Sequence, residues 1–334
     1  EGIVFSLDGA NPNSYAGDSI TTYGTDYGYF GLGGYPSAVS TVDRIDYSND
    51  TATASARGPL SAASNLRAAT GNQSYGYWGG AYPAGSTVDR VDYSNDTPTA
   101  STKGPLSLAR GFLVATGTTS YGYFGGGYPA TTSIVDRIDY SNDTAAAAAK
   151  GPLTSVRAKM GAAGNASYGY FSGGDDFGAS PPRFKSLVDR IDYSSDTSTA
   201  APKGPLSTIR MYHASTGNSS YGYSGGGYGP AVLSTVDRID YSSDTSTAAP
   251  KGPISSARYT IGATGNSSYG YFAGGHTGST TLSTVDRVDY SNDTETAPAK
   301  GPLTSAQKYV AGTSSRINGF PTESVETRSA TAPA

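Results

Sequence analysis

The sequence predicts an all-β protein: a single six-bladed propeller with four-stranded blades, closed by a strand from the C-terminal part of the chain. Three observations carry this expectation. Eleven residues, TVDRIDYSNDT at Thr41–Thr51, return with small changes at 87–97, 134–144, 187–197, 235–245 and 284–294. The first Asp of each DR pair falls at 43, 89, 136, 189, 237 and 286, and a spacing of about 40–50 residues is that of one propeller blade. Two more phrases keep step with it. YGY recurs at Tyr27, Tyr75, Tyr121, Tyr168, Tyr221 and Tyr269, and GPL or GPI at Gly58, Gly104, Gly151, Gly204, Gly252 and Gly301. The 45 Gly and 27 Tyr favour short strands and tight turns over helices.

Each unit reads as four strands. The first is the apolar stretch after GPL, as in GFLVATG at 111–117. A polar turn such as GNSS leads to the second, YGYFGGG, whose aromatics pack and whose glycines admit neighbouring backbone. The third is STVDRIDY. It ends in SNDT, where Asn and Asp bond to nearby backbone and tolerate left-handed geometry. The fourth is the Ala/Thr run, stopped by the Pro of GPL.

The ends of the chain decide how the ring shuts. From the GPL Pro to the Thr near the end of the first strand is a fixed step, as in Pro105 to Thr116 and Pro253 to Thr264. Pro302 to Thr313 keeps it. QKYVAGT at 307–313 is therefore a seventh first strand without its own blade, expected to pair with YGYFGLGG at 27–34. SITTYG at 19–24 is the rival for that slot. Closure removes a sheet edge that would otherwise invite aggregation.

The unit resembles a kelch repeat across residues 23–314. It has a strand ending in a double glycine (YFGGG, 123–127), a following strand Val135 to Asp139, and a Pro-containing segment closed by Arg (GPLSLAR, 104–110). The closing Arg is present at Arg110, Arg157, Arg210 and Arg258, but Ser64 and Gln307 stand at the equivalent positions. The family's Trp at the fourth strand is replaced by Ala or Thr. The resemblance thus implies a kelch-like propeller with a lighter core, whose volume Tyr must supply.

Composition removes several chemistries. There is no Cys, so disulfides, thiolate metal sites and the Tyr–Cys cofactor of a kelch-type copper oxidase are excluded. Net charge is −4 with both signs scattered, and no basic patch would hold nucleic acid. No apolar run reaches the roughly 18–20 residues of a bilayer crossing. The two histidines, His213 and His276, lie in different units, and no cofactor or metal is expected. D-Y-S-N-D has oxygens in alternation like a calcium loop, but lacks the closing Glu and reads better as an Asx turn. The pairs built on Arg44, Arg90, Arg137, Arg190, Arg238 and Arg287 could be acid–base groups. Six copies fit a structural ladder of Arg–carboxylate pairs better, within or between blades. N-x-S/T triplets start at Asn49, Asn72, Asn95, Asn142, Asn165, Asn218, Asn266 and Asn292. They are glycan acceptors in a eukaryotic secreted protein, and simple turn chemistry otherwise.

The loops between second and third strands form the opposite rim, and they differ. The fourth unit has the longest, DDFGASPPRFKS at 175–186, bringing Phe177, Arg183, Phe184 and Lys185 to a loop stiffened by Pro181 and Pro182. Variable loops on a rigid scaffold are where binding sits.

Catalysis is not expected. The Gly/Ser/Tyr-rich units resemble virion structural proteins of marine bacteriophages, and GIVFSLDGANPNSYAGDS at 2–19 resembles the opening of a LamG-like module, giving an N-terminal extension at 1–22. That implies a non-enzymatic structural or adhesion subunit of a virus particle, located in the virion or outside the cell. Its expected partners are other virion or filament subunits, with host-surface glycan as a further ligand. Of the tails, 1–18 and 315–334, at least one is expected to dock on a neighbouring subunit or on another particle protein. The alternative is a secreted carbohydrate-binding propeller with Tyr side chains and Trp78 as stacking platforms.

Overall fold

The computed structural model describes residues 26–31, 33–34, 37–129, 132–178 and 183–314. The LamG-like opening, the rival strand at 19–24, both tails, and Pro181 and Pro182 lie outside the described residues. Six antiparallel sheets follow one another around an axis. In the second blade the strands are Ala68–Gly71, Tyr75–Ala81, Gly85–Asp92 and Ser101–Lys103. The order within every blade is that of the sequence, innermost strand first, except in blade one. There the innermost strand is Ala311–Ser314, which pairs with Tyr27–Gly31, Gly28 opposite Ser314. The chain closes the ring as the Pro302-to-Thr313 spacing predicts.

Two elements differ from the sequence expectation. The innermost strands begin about three residues late, at Val114 in blade three and Ala214 in blade five, because the residue two positions before each strand is left-handed. In blade six the outer strand is reduced to isolated bridges such as Asp286 to Ala299. Pro298 faces Arg287 there. Its carbonyl accepts the Arg287 N–H at 3.0 Å, but without an N–H of its own it returns no bond.

The repeated phrases are devices for joining blades. In VDRIDY, Val and Ile face the core: Val42, Val135, Val188 and Val236 are buried, as are Ile45, Ile138, Ile191 and Ile239. Each Arg between them reaches the next blade. Arg44 pairs with Asp96, Arg90 with Asp143, Arg137 with Asp196, Arg190 with Asp244, Arg238 with Asp293 and Arg287 with Asp50, all at 2.7–2.8 Å. Each acceptor is the Asp of SNDT or SSDT. It also takes the hydroxyl of the second YGY Tyr, as from Tyr77 to Asp143 at 2.9 Å, and a second cation, a Lys such as Lys103 at 3.3 Å or, at Asp96, Arg57 at 3.5 Å. The guanidinium meanwhile lies over the first YGY Tyr of its own blade, Arg90 over Tyr75 at 4.2 Å. Burial and the adjoining carboxylate push Tyr77 and its equivalents far above the usual phenol range, so they remain donors.

Tyrosine also fills the seams. Tyr77 stacks on Tyr140 of the next blade with ring centroids 4.7 Å apart, and Tyr123 on Tyr193 at 4.8 Å. The Gly of GPL is fixed by the same junction. Gly104 N donates to Asp143 O at 2.8 Å, and a Cβ there would lie 1.8 Å from the Ala145 carbonyl.

The Asx turn is also found, though its acceptor is Asp46, not Asn49. Asp46 Oδ1 takes the Ser48 N–H at 2.9 Å and the Ser48 hydroxyl at 2.6 Å, nucleating the 3-10 turn Tyr47–Asn49. Asp46 thus serves its own turn while Asp50 points into blade six. The two carboxylates the calcium reading needs do not converge.

A second, fully buried ion pair lies nearer the axis. Arg110, Arg157, Arg210 and Arg258 bond to Asp136, Asp189, Asp237 and Asp286, all eight without solvent exposure. Ser107 N and Oγ complete the shell of Asp136 at 3.0 and 2.5 Å. Blade two lacks Arg at position 64, yet Arg67 supplies the guanidinium from three residues on, 2.7 Å from Asp89. Among the described residues only the Asp43 site goes without: Thr304 N and Oγ1 bond to it at 2.8 Å, and Gln307 stands in the Arg position.

Candidate functional site at the axial mouth

The six blades present two different rims. One carries the turns between first and second strands and between third and fourth. It repeats nearly word for word, and all eight N-x-S/T triplets sit on it. In its turns Asn72, Asn165, Asn218 and Asn266 accept two backbone N–H groups each at 2.8–2.9 Å. The other rim carries the loops between second and third strands and the segments that enter each innermost strand. It surrounds the axis, and the six copies differ there.

Its inner ring is six residues in the left-handed region: Leu66, Phe112, Lys159, Tyr212, Thr260 and Tyr309, with φ between 56° and 62°. None is glycine, and each such residue costs about 1 kcal/mol or more. The conformation turns their peptide groups along the ring. Phe112 N donates to Leu66 O at 3.0 Å, Lys159 N to Phe112 O at 2.9 Å, and Tyr212 N to Lys159 O at 2.8 Å. Thr260 N to Tyr212 O and Tyr309 N to Thr260 O follow at 2.8 Å. Backbone bonds thus join successive blades around the opening, and the side chains are free to vary. Strain of this kind collects where function is held in place.

The side chains make one aromatic network. Phe112 meets Tyr82, Tyr128 and Tyr212 with centroids 5.6, 6.1 and 5.9 Å apart. Tyr212 continues to Tyr259 and Tyr309, and Tyr259 to Tyr228 and His276. Tyr82 and Tyr228 are 46% and 37% exposed, so the network opens to solvent. Inside it is a cavity of about 80 Å³ lined by Phe112, Lys159, Tyr212, Thr260 and Tyr309. A second, deeper one shares Met160, His213 and Ile261 with it, so the two are successive parts of one axial opening.

Blade four breaks the pattern twice, and the two breaks face each other. After the double glycine, blades three, five and six have Tyr128, Tyr228 and His276, but blade four has Asp175, which is fully buried. In the inner ring it has Lys159, whose Nζ lies 2.8 Å from Asp175 Oδ2. Arg183 clamps both oxygens of the same carboxylate at 2.7 Å. Burial opposes ionisation of Asp175, but Arg183 and Lys159 outweigh it and hold its carboxyl below the usual range. Burial lowers the Lys159 ammonium, with Asp175 acting against that. The Lys159 Nζ also lies over the ring of Phe177 at 4.3 Å and over Tyr212 at 5.1 Å.

The four loop residues singled out in the sequence are all on this rim, and they are tied down rather than projecting. Phe177 stacks on Tyr128 at 4.9 Å and Phe184 meets Tyr228 edge-on at 5.9 Å. Lys185 pairs with Asp176 at 2.7 Å. Arg183, with 48% of its side chain exposed, reaches solvent most. Trp78 does not serve as a platform: it is fully buried, its Nε1 donating to Ala311 O at 3.1 Å. Sequence reasoning passed over Lys159, Asp175, Phe112 and Tyr212. The signal was present two residues after each closing-Arg position, where the copies read Leu, Phe, Lys, Tyr, Thr and Tyr between repeated neighbours.

One polar cluster lies deeper. In blade five Ser224 replaces the aromatic of YGYF, and the vacated space holds His213, Ser172 and Ser215. His213 Nε2 is 3.0 Å from Ser172 Oγ, and Nδ1 has no partner. Burial, then Arg210 and Arg157, keep the imidazole far below its usual pKa, hence neutral. The Ser–His pair has no acid on Nδ1 among the described residues, and His213 is largely buried, 4% exposed.

Among the described residues no three acidic or His side chains gather as a metal site, and no helix is long and apolar enough to cross a membrane. Compared with protein-family models and with curated proteins, the chain gives no match. What fold and site define is a closed six-bladed β-propeller with one constant rim and one variable, aromatic rim.

Proposed function

We propose that the protein is a non-enzymatic structural and adhesion subunit that binds through the variable rim. The observation that carries this is the contrast between rims. Four strands, two turns and the seams are written almost identically six times, while the differences collect around one opening where aromatic side chains reach solvent. Partly exposed aromatics with polar neighbours are a common make-up of recognition surfaces. The resemblance of the repeat to kelch units and to virion structural proteins of marine bacteriophages supports placing the subunit on a virus particle, outside the cell. The partners are then other particle subunits or the host surface. A second reading, a secreted carbohydrate-binding propeller, is favoured by the aromatic network itself, and an appendage that holds host glycan joins the two.

The test is binding of purified protein to host cells and to isolated particles, with variants on each rim. Phe184→Ala and Tyr228→Ala should each weaken binding by about 1–2 kcal/mol while melting changes little. Asn292→Ala on the constant rim should leave binding as it was. Equal loss from both rims, or from neither, removes this reading.

A further inference from the structure

Building on the rim as the binding face, we propose that the axial mouth takes the carboxylate of an acidic saccharide residue, with Lys159 as its anchoring cation. The charge balance carries this. Asp175 holds one negative charge against the two positive charges of Lys159 and Arg183. Every other cation described at the mouth's lining is matched: Arg67 bonds to Asp89, to Ser64 Oγ and to Ala62 O, using each of its nitrogens. Among the described residues no Asp or Glu lines the opening. One positive charge is therefore in excess, at a mouth walled by rings.

Lys159 is positioned to use it. An ammonium has three donors, and its hydrogen bond in the structure is the one to Asp175. Only 8% of the side chain is exposed, so a carboxylate reaching Nζ there is largely desolvated and the bond is charge-assisted. Beside it, Phe112 and Tyr212 offer ring surface for the face of a pyranose, and the Tyr212 and Thr260 hydroxyls can meet its OH groups. A cavity of about 80 Å³ admits a carboxylate and the carbons next to it, but not a whole sugar, so the acid enters while the ring rests on the aromatics. The same position holds Leu, Phe, Tyr or Thr in the other blades, so the excess charge is a feature of blade four alone.

The experiment is calorimetric titration with galacturonate, its neutral counterpart galactose, and a Glu-rich peptide. Wild-type protein should bind galacturonate at least about tenfold more tightly than galactose. Lys159→Met should abolish that preference, and Lys159→Arg should keep part of it. Asp175 retains its clamp from Arg183 in both, and a melting curve checks that each is folded. Should Lys159→Met fail to fold, Lys159→Gln provides the neutral variant, and Tyr212→Ala should weaken both sugars. Equal affinity for the two sugars, preference unchanged in the neutral variants, or tighter binding of the peptide each overturns the proposal. Cell or particle binding lost in Tyr228→Ala while galacturonate fails to bind discards the ligand class and leaves the binding face standing. Absence of both discards both.

Discussion

Arg287 Nη1 lies 2.8 Å from Asp50 Oδ2, linking blade six to blade one across 237 residues of chain. The same Asp50 accepts from Tyr271 at 3.0 Å and from Lys300 at 3.4 Å. This is the bond set of the internal seams, with Arg57 in place of the Lys at Asp96, made once more where the ring shuts. The closing seam is thus held both by the strand Ala311–Ser314 and by a clamp that every other blade also makes.

Removing that clamp should cost as much at the closing seam as inside the ring. Asp50→Ala leaves the Tyr271, Arg287 and Lys300 donors without their acceptor. The expected loss is about 2–3 kcal/mol, moderated by the partial exposure of the cations, and Asp143→Ala should match it. Urea midpoints compare them. A loss below about 0.5 kcal/mol at Asp50 alone would mean that the strand, not the clamp, closes the ring.

Asp43 and Asp136 should respond unequally to neutralisation. Both are fully buried, but Asp136 faces Arg110 and Asp43 faces no guanidinium among the described residues. Asp136→Asn strands a buried cation and should cost about 3 kcal/mol or more. Asp43→Asn keeps an acceptor for Thr304 and should cost under about 1 kcal/mol at pH 7. Burial raises the Asp43 carboxyl above its ordinary value, against the Thr304 bonds. The folded state therefore holds that proton more tightly than the unfolded chain. Its contribution is fully present below the unfolded carboxylate pKa and is lost as pH rises through the folded one. The Asn variant should lose that part of the pH dependence, which chemical unfolding at pH 4 and pH 7 would reveal.

Ala163→Thr should stabilise the protein. Tyr140, Tyr193 and Tyr290 place their hydroxyls 3.2–3.3 Å from Thr70, Thr116 and Thr216 of the preceding blade. Tyr241 meets Ala163 at the matching position, and its buried hydroxyl has no partner. Supplying one should add about 1 kcal/mol, or about 2 °C in melting temperature. No gain, or a loss, would show that this seam is too tight for the extra atoms.

Truncation after residue 306 should open blade one and expose Trp78. The single Trp is fully buried against Ala311, whose carbonyl takes its N–H. Loss of the closing strand frees a sheet edge and wets that indole. A red shift in emission with concentration-dependent aggregation is expected, and an unshifted spectrum in a monomer would argue against closure by this strand.

Much of the fold was legible because the chain states it six times. The blade count came from the DR spacing and the closing strand from the step between Pro302 and Thr313. The structural reading of Arg44 and its five equivalents followed from their repetition, since one asymmetric site does not need six copies. The candidate site was legible only in part. Phe177, Arg183, Phe184 and Lys185 marked the variable rim through the length of their loop. Lys159 and Asp175 lie 16 residues apart in segments of ordinary look, and each departs from the repeat in a way that means little alone.

By itself the sequence determined the blade, its strand order and the number of blades, because hydrophobic alternation, turn residues and Gly-Pro stops act over a few residues and do so in each copy. Tertiary structure decided the rest. Whether an Arg pairs within its blade or across the seam depends on which carboxylate the neighbouring sheet brings within 3 Å. That Trp78 is core and not platform depends on Ala311, which arrives from the far end of the chain. That six dissimilar residues form one ring depends on their shared left-handed backbone and on five hydrogen bonds between blades. Those contacts exist only once the ring has closed, and no local pattern of residues encodes them.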